Sequence, residues 1–118
     1  MIETELCAFS PEACRIAARQ GVWRAELCAS PYEGGTTPSA AAIREARRIP
    51  NLRLRDMIRP RGGDFLYTDD ELRERPDELA FARARGADCV RPARLPPDGQ
   101  QDDNATEDYR GASPAVDV

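Results

Sequence analysis

Four residues occur twice in this chain, as Glu5-Leu6-Cys7-Ala8 and again as Glu26-Leu27-Cys28-Ala29. Each copy closes a short apolar run, and in each a carboxylate stands two residues before a thiol. On a β-strand, side chains two apart point to one face, so Glu5 would share a face with Cys7, and Glu26 with Cys28. If the two runs are neighbouring parallel strands, about 4.8 Å apart, two thiols and two carboxylates converge at one edge of a sheet. Such a cluster can bind a soft metal or carry out chemistry.

Composition narrows the choice. The sequence has neither histidine nor lysine, so imidazole bases, imidazole ligands and Schiff-base lysines are excluded. All 17 positive charges are arginine. A net charge of −4 argues against nucleic acid as a partner, because binding the phosphate backbone needs a basic stripe. A small molecule, an ion or another protein is the better expectation. The length of 118 residues suits one small domain. No apolar stretch approaches the roughly 20 residues of a membrane span, and the start carries acid rather than a basic, then apolar, leader. A cytoplasmic protein with no membrane partner is therefore expected.

Cysteines in a cytosolic chain are ordinarily free thiols. Those at positions 7, 14, 28 and 89 lack the CxxC pairs of a zinc ribbon. Cys14 falls on a predicted helix and Cys89 in an apolar patch, so both read as small buried hydrophobes. Cys7 and Cys28 stand apart because each is in register with a glutamate.

The elements that must position this cluster alternate. Residues 2–7 read as a strand. Ser10 is an N-cap with Pro11 at the first helical position, opening a helix over 11–20 that Gly21 ends. Residues 22–28 form the second strand, and Thr37-Pro38 should start a second helix running to about Arg48. Residues 52–59 read as a third strand, followed by the loop Pro60-Arg61-Gly62-Gly63-Asp64. Thr68 and Glu71 make a capping box for a third helix that stops near Gly86, and a weaker fourth strand spans about 87–95. Successive β-loop-α units imply an α/β fold of parallel strands with right-handed crossovers. From Pro96 onward turn formers and acid replace apolar residues, which predicts a disordered or loosely attached tail over 96–118.

Several strings resemble the copper homeostasis protein CutC family, in order and in spacing: Glu5-Leu6-Cys7, Arg24-Ala25-Glu26-Leu27-Cys28, Glu33-Gly34-Gly35-Thr36-Thr37-Pro38-Ser39, and Met57-Ile58-Arg59-Pro60-Arg61-Gly62-Gly63-Asp64-Phe65-Leu66-Tyr67. The resemblance is specific over residues 3–71 and thins toward Gly99. It implies a TIM-type (β/α) barrel in the cytoplasm, of which residues 1–95 would make three to four units, and a role in copper handling with Cys7 and Cys28 as candidate ligands. Thiolates are soft donors that select Cu(I), and barrel sites lie at the C-terminal ends of strands. Glu5, Cys7, Glu26, Cys28 and Arg59 all sit at or near such ends.

A second function class uses the same edge. Glu5 or Glu26 could act as a general base, with Arg59 and Arg61 clamping an anionic substrate and Gly62-Gly63 offering backbone N–H groups. Arg24 or Arg59 pairing with Glu5 or Glu26 is the purely structural alternative. Departures from the family pattern raise a third reading, an inactive truncated member. A full barrel needs eight units in about 250 residues. Arg53, Arg55 and Asp56 replace apolar residues of the third strand, Asp56 with no evident partner. Trp23 takes a position that is usually small and acidic, Pro76 removes a hydrogen bond from the third helix unless the helix breaks and restarts there, and Arg91-Pro92-Ala93-Arg94 stands where a continuous buried strand should run. Open strand edges then predict a homo-oligomer or a complementing chain.

Overall fold

The computed structural model describes residues 2–84 and 88–92. The predicted tail over 96–118 lies outside them. Strand and helix alternate as β1 (Glu5–Ala8), α1 (Pro11–Arg19), β2 (Arg24–Leu27), a 3-10 turn (Pro31–Glu33), α2 (Ala40–Arg47), β3 (Arg53–Ile58), α3 (Asp69–Ala84) and β4 (Cys89–Pro92). The strands form one sheet in the order β1-β2-β3-β4. All three pairings are parallel. Sequential order, with a helix between each pair of strands, gives the α/β arc of a partial (β/α) barrel.

The caps explain where the helices begin. Ser10 is extended, its hydroxyl accepts the Ala13 N–H at 3.1 Å, and Pro11 follows where no N–H is needed. Gly21, at φ +77°, takes the left-handed position just past the helix end. The Thr68–Glu71 box closes in both directions: the Glu71 carboxylate accepts the Thr68 N–H at 2.7 Å, and Thr68 Oγ1 accepts the Glu71 N–H at 3.3 Å.

One expectation needs correction. The second helix is capped by Ser39, which accepts the Ala42 N–H at 3.2 Å, and not by Thr37. Thr37 is occupied elsewhere: its N–H donates to the Arg59 carbonyl at 2.9 Å, and its hydroxyl accepts the Arg59 N–H at 2.9 Å. A long-range contact thus displaces a local cap. Of the two outcomes open at Pro76, the third helix takes the continuous one. Its first turn is fixed by the capping box, and the hydrogen bond lost at Pro76 is borne inside a continuous helix.

Strand alternation sorts the side chains onto two faces. Ala8, Ala25, Leu27 and Leu54 face the helices and join Cys14, Ile43, Ala46, Ile49 and Leu52 in the core. Cys14 is therefore the buried small residue that the sequence suggested, and burial pushes its thiol up to about 11. Cys89 is likewise buried. Asp56 occupies the same helix-facing layer, two residues after Leu54. It is fully buried, and neither carboxylate oxygen has a hydrogen-bond partner among the described residues. The opposite face carries Glu5, Cys7, Arg24, Glu26, Arg55 and Met57.

At the start of β4, Asp88 ties three elements together. Its carboxylate accepts the Leu54 N–H at 2.8 Å and the Arg47 guanidinium at 2.9 Å. Trp23, at the head of β2, lies within 4.9 Å of the Arg24 guanidinium and 4.8 Å of that of Arg53. These cation–π contacts hold the indole between two guanidinia on neighbouring strands. No helix among the described residues is long and apolar enough to cross a membrane.

Candidate metal centre

The register places Glu5 opposite Arg24 and Cys7 opposite Glu26. Cys28 follows the last residue of β2, so the two cysteines are diagonal neighbours rather than direct partners. Their sulfurs nevertheless meet at 3.6 Å, a distance at which one thiol donates to the other. Glu26 Oε1 lies 3.8 Å from Cys28 Sγ. One donor atom from each of Cys7, Glu26 and Cys28 falls within 4.8 Å of the others.

The pair is asymmetric. Cys7 is exposed, whereas Cys28 is only 2% exposed. The Cys28 backbone N–H is anchored to the Ala8 carbonyl at 2.9 Å. Gly35, at φ +99°, covers its sulfur so closely that a β-carbon there would lie 3.3 Å from Sγ. Burial first, then the neighbouring Cys7 thiol and the Glu26 carboxylate, push the Cys28 thiol well above the usual thiol range. Glu26, at 8% exposure, is the buried carboxylate of the group.

Glu5 takes one of the structural pairings that the sequence offered, the one with Arg24. It pairs with Arg24 on the neighbouring strand and with Arg55 at 3.4 Å on the next. Burial raises the Glu5 carboxyl, but the Arg24 hydrogen bond and the two positive charges outweigh it, and the net shift is downward. Arg55 Nε also donates to Cys89 Sγ at 3.3 Å. Arg55 thus spans the charged face from β1 to β4. Sequence reasoning marked Arg55 only as a departure from the family pattern. Period-two alternation from Arg59 through Met57 would have placed it on the same face as Glu26.

Arg59 does not pair with Glu5 or Glu26, contrary to the expectation. At 4% exposure, its guanidinium donates to the carbonyls of Glu33 at 2.6 Å, Gly35 at 2.9 Å and Gly63 at 2.8 Å. It lies 4.6 Å from the centre of the Phe65 ring. The residue clasps the loop after β2 to the loop after β3. Arg61 is similarly engaged, donating to Glu71 at 2.5 Å and to the Leu66 carbonyl at 2.7 Å. Gly62 packs against Glu33, where any β-carbon would overlap the carboxylate, and Gly63 supplies an acceptor to Arg59. The residues named for an anion clamp are thus brought together, with the Arg59 guanidinium serving loop carbonyls and that of Arg61 serving both carbonyls and the Glu71 and Asp64 carboxylates. Cys7, Glu26 and Cys28 form a separate group at the ends of β1 and β2.

Comparison with known proteins gives a consistent set of relatives. The model of the CutC family matches residues 2–115. A CutC family protein of Erwinia tasmaniensis is 36% identical over 118 residues, which is 100% of this chain and 47% of the relative. One from Bacteroides thetaiotaomicron is 43% identical over 115 residues, covering 97% of this chain and 46% of the relative. A solved structure from Streptococcus agalactiae, described as a candidate copper homeostasis protein CutC, superposes with a TM-score of 0.88 at 32% identity. That superposition covers 98% of this chain and 57% of the other. The chain spans about half the length of the curated relatives it matches.

Proposed function

The chain belongs to the CutC family, and from that premise we propose that it acts in copper homeostasis by holding Cu(I) between Cys7 and Cys28. The observation that carries the reading is the 3.6 Å approach of two thiols from neighbouring strands. The donor chemistry fits the ion: thiolates are soft ligands, and soft ligands select Cu(I) over harder divalent ions. A Cu(II) site of imidazoles cannot be built from a sequence without histidine. The exposed side of Cys7 is the natural point of entry. Cys28, beneath Gly35, would hold the ion away from water.

Around the ion, this chain's residues supply position and charge. Glu26 stands beside Cys28, while Arg24 and Arg55 pair with Glu5 on the same face of the sheet. The Arg59 clasp keeps Gly35 in place over the buried sulfur. We place the protein in the cytoplasm, where thiols stay reduced.

The test is a Cu(I) titration of reduced protein against a competing chelator. About one Cu(I) per chain is expected, with weak Zn(II) binding. A Cys7→Ser, Cys28→Ser double variant that folds by circular dichroism should lose the site. Unchanged Cu(I) affinity in that variant would overturn the reading.

β1 and β4 are the outer strands of the described sheet, and unpaired edges recruit partners. A second copy, or a chain complementing the arc, is the expected partner. Sedimentation at micromolar concentration should therefore show a species heavier than the 13.1 kDa monomer. A monomer with a sharp two-state thermal transition would contradict this.

A further inference from the structure

We infer that Cys7 and Cys28 are also a thiol–disulfide exchange site for small-molecule disulfides, with Cys7 as the attacking thiol and Cys28 as the resolving one. The inference rests on reading the two cysteines as one working pair, and it gives that pair a use that needs no metal. Three observations support it. The sulfurs are 3.6 Å apart. One is exposed and the other buried. The remaining cysteines are withdrawn from solvent: Cys14 is 0% exposed in the core, and Cys89, at 3%, faces Arg55.

Exchange proceeds in two balanced steps. The Cys7 thiolate attacks one sulfur of a small disulfide, the S–S bond breaks, and one small thiol leaves with a proton. Cys28 then attacks the Cys7 sulfur of the mixed disulfide, releasing the second small thiol. Two protein thiols lose two electrons and two protons, and one disulfide becomes two thiols. Only Cys7 is placed to meet a dissolved disulfide, and only Cys28 lies within reach to resolve the adduct.

The geometry also fixes the character of the bond. A disulfide needs the sulfurs at about 2.05 Å, so the pair must close further. β1 supplies that freedom, since it is an outer strand bonded to β2 alone in the described sheet. Cys7 is exposed, so its sulfur in that bond stays open to attack by small thiols, and the bond would be reversible rather than structural. While oxidised, the pair has no thiolates for an ion, so oxidation would release or refuse Cu(I).

The experiment treats metal-free, reduced protein with oxidised glutathione and maps the products by mass spectrometry of peptides. Wild type should form an internal Cys7–Cys28 disulfide that dithiothreitol reverses. Cys28→Ser should stop at a glutathione adduct on Cys7, and Cys7→Ser should leave Cys28 unmodified while folded. A persistent glutathione adduct on wild-type Cys7 without the internal bond would overturn the inference, as would a Cys28 that reacts equally fast in Cys7→Ser. The copper reading is judged separately by titrating the same reduced protein. Cu(I) binding without disulfide formation defeats only the exchange site, and disulfide formation without Cu(I) binding defeats only the copper reading.

Discussion

Asp56→Asn should stabilise the protein at pH 8 by about 4 kcal/mol and flatten its stability across the range from pH 5 to 8. The carboxyl is fully buried between β3 and the helices, with both oxygens lacking hydrogen-bond partners among the described residues. Burial first, and then the negative charge of Asp88, raise it from 3.8 to about 7, with Arg47 opposing weakly. Cys14 also faces it and is pushed upward in turn. The folded state therefore holds a proton that the unfolded chain releases near pH 4. Stability from this group is complete below the unfolded value and is lost as pH rises through about 7. Asparagine cannot ionise and removes the loss. Urea unfolding at several pH values measures both curves, and parallel curves for wild type and variant would show that Asp56 has a partner or reaches water.

The second large effect belongs to Arg59. Arg59→Leu should destabilise by about 3 kcal/mol or more, because it leaves three carbonyls of two loops without their donor. The carbonyls are those of Glu33, Gly35 and Gly63. The contact with Phe65 goes as well. Arg48→Leu is the control: its pair with Glu45 is an i,i+3 contact with side chains 70% and 47% exposed, and such pairs contribute about 0–1 kcal/mol. Equal thermal midpoints for the two variants would mean that the loops hold without the clasp. Since Gly35 covers Cys28, Arg59→Leu should also weaken Cu(I) retention.

What the sequence revealed follows from the range of the interactions concerned. The Ser10 cap, the Thr68–Glu71 box and the strand alternation are local, and they were legible. The meeting of Cys7 and Cys28 was legible too, since period two and parallel pairing suffice to place both thiols on one face. The register was not. Alignment by the repeated Glu-Leu-Cys-Ala sets Cys7 beside Cys28, whereas the ladder sets it beside Glu26. Thr37 was misread because its hydroxyl and N–H are used by Arg59, 22 residues away. Arg59 was singled out for carboxylate partners, whereas its guanidinium serves three loop carbonyls. A guanidinium at a strand end can serve carboxylates or loop carbonyls, and only the loop path decides. Glu5 found Arg55 across two strands, a contact that no local pattern encodes.

The copper K-edge X-ray absorption of the protein loaded with one equivalent of Cu(I) under reducing conditions tests the central claim most directly. It reads the donor atoms themselves. The account predicts a first shell dominated by sulfur, with two protein sulfurs per copper, that disappears in the Cys7→Ser, Cys28→Ser variant. A shell of oxygen or nitrogen donors, or a sulfur shell that survives the double substitution, would contradict it.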